Sequence, residues 1–168
     1  MRRADSALRG LPASILRLIL CLALCGAIAA IGGLTTAPQI PGWYAGLAKP
    51  AWTPPNLAFP IAWSILYTLI GVALWRLWDR ARRPGAHRRA LILLLVHLAL
   101  NASWSPVFFG LHAIRAGLAI IILMIATLAA AMAHSAKADR LATWLLAPYF
   151  IWICYAAALN GAIAWLNR

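Results

Sequence analysis

A bundle of five transmembrane α-helices is the fold the sequence predicts, on three observations. Of 168 residues, 64% are apolar and 11% charged, against roughly 45–50% and about 25% in a soluble domain. Striking out every Lys, Arg, Asp and Glu leaves five uncharged windows, 18–48, 50–75, 90–114, 116–136 and 141–167. Each exceeds the ~20 residues with which a helix crosses ~30 Å of hydrocarbon. Fifteen Lys and Arg face only three acids, a formal +12, and they gather between alternate windows. Five spans leave no length for a sizeable soluble domain, so the chain reads as one all-α integral membrane domain over residues 1–168.

The first span is expected at about 15–34, after a basic leader with Arg2, Arg3 and Arg9. Its start resembles a signal peptide, but the apolar run continues past Gly26 at spanning length, which favours a retained helix. From 35 to 56 the texture changes to Pro38, Pro41, Gly42, Gly46, Pro50, Pro54 and Pro55, interleaved with Trp43, Tyr44 and Trp52. No regular spanning helix holds that many prolines, so a structured loop is expected, with one short helix near 43–47 and the tryptophans packing it over the bundle as a lid. The second span is expected at about 57–78, a basic connection over 80–89, and the third at about 90–109 with its last turn bent by Pro106. Gly110 and His112 turn the chain into a fourth span at about 113–133. The fifth, at about 141–166, tolerates Pro148 as a kink.

Counting Lys and Arg on alternate sides gives twelve with the amino terminus and the second and fourth connections, against Lys49, Arg115 and Arg168 on the other. That bias places the amino terminus in the cytoplasm, and the proline-tryptophan loop and carboxyl terminus outside. Topology and lipid contact account for the basic segment 76–89, so nucleic acid is not expected as a partner.

Inside the spans no Asp or Glu occurs, and no His-Glu-x-x-His or Cys-x-x-Cys pattern is present. Proton pumps and intramembrane hydrolases need such groups, so no catalytic or metal-binding residues are assigned. Cys21, Cys25 and Cys154 read as small apolar side chains. His97 or His112 as an axial haem ligand is a minor alternative.

Three aromatic faces carry more information. Asn101, Trp104, Ser105 and Phe108 fall at i, i+3, i+4 and i+7 on the third helix; Tyr149, Trp152, Ala156 and Asn160 share a face of the fifth; Phe59, Trp63 and Tyr67 lie along one side of the second. Trp75, Trp78 and Trp165 sit near helix ends, where an interfacial belt explains them. Asn101 and Asn160 also suit plain helix-helix hydrogen bonds. Convergence of the three faces makes an aromatic cavity in the outer half of the membrane, fit for a flat, largely apolar ligand. Lys49, or less favourably Arg115, would meet a ligand carboxylate there.

Several stretches resemble the family of tryptophan-rich sensory proteins and translocator proteins, also called peripheral-type benzodiazepine receptors. They are Trp43-Tyr44, Leu47 to Pro55 (LAKPAWTPP), Phe59-Pro-Ile-Ala-Trp63 with Leu66-Tyr67, Asn101 to Gly110 (NASWSPVFFG), Pro148-Tyr-Phe-Ile-Trp152 and Leu159-Asn160. The resemblance implies a five-helix bundle, often dimeric, that binds porphyrins and, in some members, cholesterol or benzodiazepine-type drugs. By motif match Trp43, Trp52, Phe59, Trp63, Tyr67, Asn101, Trp104, Phe108, Trp152 and Asn160 are expected as pocket or lid residues. Gly161 follows Asn160 where the animal pattern leads into a Tyr and a basic residue, so sterol is not expected.

The leading expectation is therefore a receptor, sensor or transporter for tetrapyrroles in a bacterial inner membrane, with porphyrin or haem as ligand, no required cofactor and a second copy of the chain as partner. Light- or oxygen-dependent porphyrin degradation at a tryptophan is the enzymatic alternative. A purely structural bundle, packing through small residues such as Gly26, Gly33, Ala99, Ala102, Ala126 and Ala130, is the third.

Overall fold

The computed structural model describes residues 2–80 and 84–168, so Arg82 and Arg83 of the basic connection lie outside the described residues. Five long helices carry the chain: α1 (Arg2–Thr36), α2 (Ala58–Arg80), α3 (Pro84–Ser105), α4 (Ile114–Ala138) and α5 (Arg140–Leu166). All five contain stretches long and apolar enough to cross a membrane, and no strand occurs among the described residues. α1 packs on α2, α2 on α5, α5 on α4, α4 on α3, and α3 returns to α1, closing a ring.

The helices run further than the uncharged windows suggest, because charge ends a membrane span but not a helix. α1 has 35 residues and takes in the leader expected to precede it, reaching roughly 50 Å at 1.5 Å per residue. α3 begins at Pro84, inside the expected basic connection, where the first helical turn has no use for the amide that proline lacks. α4 continues through Lys137, leaving Asp139 as its link to α5. Asp139 then caps α5, accepting from the amides of Leu141 at 2.9 Å and Ala142 at 3.2 Å.

Pro38, Pro41 and Pro106 change the helix type instead of breaking the chain's course, whereas Pro12 and Pro148 sit inside continuous α-helix. After α1 come a 3₁₀ turn, Ala37–Gln39, and a π turn, Ile40–Tyr44, each with a proline at its start. The helical part of the loop thus begins earlier than the 43–47 read from sequence. At the end of α3, Pro106 opens a second π turn, Pro106–Gly110, closed by the Leu111 amide donating to the Pro106 carbonyl at 2.9 Å. The proline ring excludes the α-type bond to the preceding turn, and widening by one residue restores a partner. His112 then takes a positive φ of 54°, a conformation uncommon outside glycine, which turns the chain into α4.

Ion pairs tie the basic end. Asp79 of α2 accepts from Arg17 and Ser14 of α1, Trp75 Nε1 donates to Ser14 at 3.2 Å, and Arg76 meets Asp139 at 2.8 Å. Trp75 is thus held between helices in addition to sitting near the interface. Towards this end the ring is solidly packed, with Ile70, Ala73, Leu77, Leu94, Leu128, Ala131, Ala142 and Leu146 wholly buried.

Candidate ligand cavity

Towards the opposite end the same ring is hollow. Positions facing its axis there include Ala29, Gly32 and Gly33 of α1 and Ala156 of α5, side chains too small to fill the space between helices that larger aromatics hold apart. The cavity has a volume of about 420 Å³, within the ~300–1,000 Å³ usual for small-molecule sites. Residues of all five helices, the π turn before α4 and the start of the loop line it.

Phe59, Trp63, Tyr67, Asn101, Trp104, Phe108, Trp152 and Asn160 all line this cavity. Trp152 forms the hinge of the aromatic wall, edge-on to Phe59 at 6.0 Å and to Trp63 at 6.4 Å. Trp63 lies nearly parallel to Tyr67, with ring centroids 5.1 Å apart, and Trp104 stacks on Phe108 at 5.2 Å and 19°. Such contacts each add about 0.5–1.5 kcal/mol beyond area burial.

Trp43, Lys49 and Trp52 are not brought to the lining. Trp43 packs behind it, edge-on to Phe108 at 5.5 Å and stacked on His112 at 4.3 Å. Trp52 lies on the outside, half exposed, against Tyr155. The Lys49 ammonium turns back on its own loop, donating to the carbonyls of Tyr44 at 2.6 Å, Ala45 at 3.2 Å and Leu47 at 2.9 Å. A cation there satisfies carbonyls left over at a helix end, so Lys49 holds the loop and does not meet a ligand carboxylate in this arrangement. Arg115 is exposed and also off the lining.

The loop is clasped to α5 by residues the sequence reading passed over. Asn167 pairs with the Ala48 backbone on both edges, accepting from its amide at 3.0 Å and donating to its carbonyl at 2.9 Å. Tyr155 donates to the Trp52 carbonyl at 2.9 Å. Tyr155 falls one turn after Trp152, a spacing that could have flagged it; nothing local flags Asn167. Gly117 is the other omission: a Cβ there would stand 3.0 Å from Phe108 Cδ2 and 3.3 Å from Asn160 Nδ2, so its bareness lets both residues sit at the cavity.

Polar groups divide in two. At the roof, Trp104 Nε1 and both amide atoms of Asn160 are buried without a hydrogen-bond partner. At the floor, Tyr67 donates to Asn101 Oδ1 at 2.5 Å and Asn101 Nδ2 donates to the Tyr149 hydroxyl at 2.7 Å. His97 closes this set, with Nε2 2.8 Å from the Tyr149 hydroxyl and Nδ1 3.0 Å from the Met124 carbonyl. His97 is completely buried, off the lining and fully engaged, while His112 is exposed and bonded to Gln39 at 3.0 Å. Neither points to an axial haem ligand. Among the described residues no three His, Cys, Asp or Glu side chains group as a metal site.

Comparison with known proteins adds a lineage to this geometry. The family model described as TspO/MBR family matches residues 20–166. The chain is 35% identical to the Tryptophan-rich protein TspO of Chlorobaculum tepidum over 153 residues, covering 91% of this chain and 97% of that one. It is 39% identical to the TspO of Archaeoglobus fulgidus over 158 residues, 92% and 99% of the two chains. With the Translocator protein of Homo sapiens identity is 36% over 126 residues, 72% of each.

Proposed function

The chain belongs to the TspO/MBR family, and from that premise we propose that it is a membrane receptor, sensor or transporter that holds a porphyrin-like ligand in the cavity beneath its first loop. The observation that carries the reading is the meeting of Phe59, Trp63, Trp104, Phe108 and Trp152 around one empty space. Stacking on these rings supplies affinity for a flat π-system, and the apolar surroundings suit a ligand that partitions into lipid. The name of the human relative, Translocator protein, supports translocation. We place the amino terminus in the cytoplasm of a bacterial inner membrane, following the charge bias. Self-association belongs to the same proposal: Gly26 of α1 is exposed, off the cavity lining and faces open space, where a second copy would approach closely.

Quenching of tryptophan fluorescence by protoporphyrin IX in lipid nanodiscs tests the reading. Trp152→Phe is expected to weaken binding about tenfold, the loss of one good aromatic contact. Trp52→Phe, outside the lining, is expected to change affinity by less than about twofold. Equal losses in the two variants would move the ligand from the cavity to the loop surface.

A further inference from the structure

The floor of the cavity has a hydrogen-bond direction, and it is set from the far end. The Met124 carbonyl can only accept, so His97 Nδ1, 3.0 Å away, carries the proton. A neutral imidazole then presents Nε2 as an acceptor, and the Tyr149 hydroxyl at 2.8 Å must donate to it. With that proton committed, the Tyr149 oxygen accepts from Asn101 Nδ2 at 2.7 Å. Asn101 therefore turns Oδ1 toward Tyr67, whose hydroxyl must donate at 2.5 Å.

Both ways of reversing the chain fail. An imidazolium with Asn101 as it stands would aim two donors, Nε2 and Asn101 Nδ2, at the Tyr149 oxygen and leave the Tyr149 proton no acceptor; with Asn101 flipped as well the bonds could all reverse, but either state buries a charge without a carboxylate partner. The Thr127 hydroxyl 3.3 Å from Nδ1 brings no charge to offset it. A flipped Asn101 amide would set two acceptors face to face at the Tyr149 position.

Tyr67 and Asn101 line the cavity, whereas Tyr149 and His97 lie behind them. The proton of the Tyr67 hydroxyl is thus turned away from the ligand space, and what remains is an oxygen lone pair. Resting on the reading that this cavity holds a flat ligand, we infer that Tyr67 is a specificity-determining acceptor, selecting ligands that bring an N–H or O–H donor on the edge that reaches it and disfavouring those that bring an acceptor there. The amide of Asn101 interrupts any path for proton transfer, so the chain orients and does not conduct.

Three tricyclic probes of nearly one shape separate the possibilities: carbazole with a bridging N–H, fluorene with a methylene and dibenzofuran with an oxygen. Binding is measured in nanodiscs against empty nanodiscs, for the wild type and Tyr67→Phe. Carbazole is expected to bind about tenfold tighter than fluorene, the effect of one buried hydrogen bond, with dibenzofuran weakest and the order flattened in Tyr67→Phe. Equal binding of all three, binding of none, preference for dibenzofuran, or a carbazole preference that survives Tyr67→Phe each overturns the inference. The wild-type order already decides its sign if the variant fails to fold. Protoporphyrin IX quenching in the same samples keeps the two readings apart. Porphyrin binding without carbazole preference removes the role of Tyr67 alone, and carbazole preference without porphyrin binding removes the tetrapyrrole.

Discussion

Ala156→Trp is expected to abolish porphyrin binding in a protein no less stable than the wild type. Ala156 lies one turn from both Trp152 and Asn160, and all three line the cavity. An indole projecting from this position enters the space the ligand needs, so affinity should fall by ~100-fold or more, at least ~2.7 kcal/mol. Overpacking a filled core costs about 1–3 kcal/mol, whereas filling an existing void adds contacts and stabilises by about 0.5–2 kcal/mol. Thermal unfolding in detergent and quenching in nanodiscs therefore give a joint answer. A raised midpoint with lost binding identifies the void as the site. Retained binding places the ligand elsewhere, and a lowered midpoint would mean the space is not open to a side chain.

Tyr149→Phe is expected to be among the most destabilising single-atom deletions in the chain. The residue is completely buried, and its hydroxyl stands between His97 Nε2 and Asn101 Nδ2. Hydrogen bonds between membrane helices average only ~0.6 kcal/mol. That figure describes a pair whose partners can find others. Here the deletion strands a buried donor and a buried acceptor together, each at about 1–3 kcal/mol, so a loss of about 2–6 kcal/mol is expected in denaturation measurements on detergent-solubilised protein. A change below ~0.6 kcal/mol would mean that water or a rotated Asn101 replaces the hydroxyl, and the floor would lose its fixed direction.

Periodicity made the helix-borne part of the site legible. Asn101 and Trp104 share a face of α3 because helix geometry puts them there, and that face could only turn toward lipid or toward the axis; Phe108, expected on the same face, is carried by the π turn and reaches it by stacking on Trp104. Phe59, Trp63, Trp152 and Asn160 followed in the same way. Loop residues carry no such period. Trp43 and Trp52 matched the family's motif and Lys49 was read from its charge, yet Trp43 and Trp52 support the cavity from outside and Lys49 turns its ammonium to three carbonyls of its own loop. Asn167 is bonded to Ala48 across 119 positions of sequence, a distance over which no local pattern acts. The two asparagines illustrate the remaining gap: one reading, helix-helix bonding or cavity, was open for both. Asn101 makes the interhelical bonds and lines the cavity as well, whereas Asn160 lines it with its amide unpartnered.

The central claim is that the ligand sits among the helices and not on their lipid-facing surface. Fluorotryptophan incorporation with fluorine NMR in nanodiscs tests it directly, with resonances assigned by single Trp→Phe substitutions. A bound porphyrin's ring current should displace the resonances of Trp63, Trp104 and Trp152 saturably, leaving Trp144 and Trp165, 74% and 67% exposed, where they were. Displacement of Trp144 and Trp165 with the three cavity resonances unmoved would contradict the account.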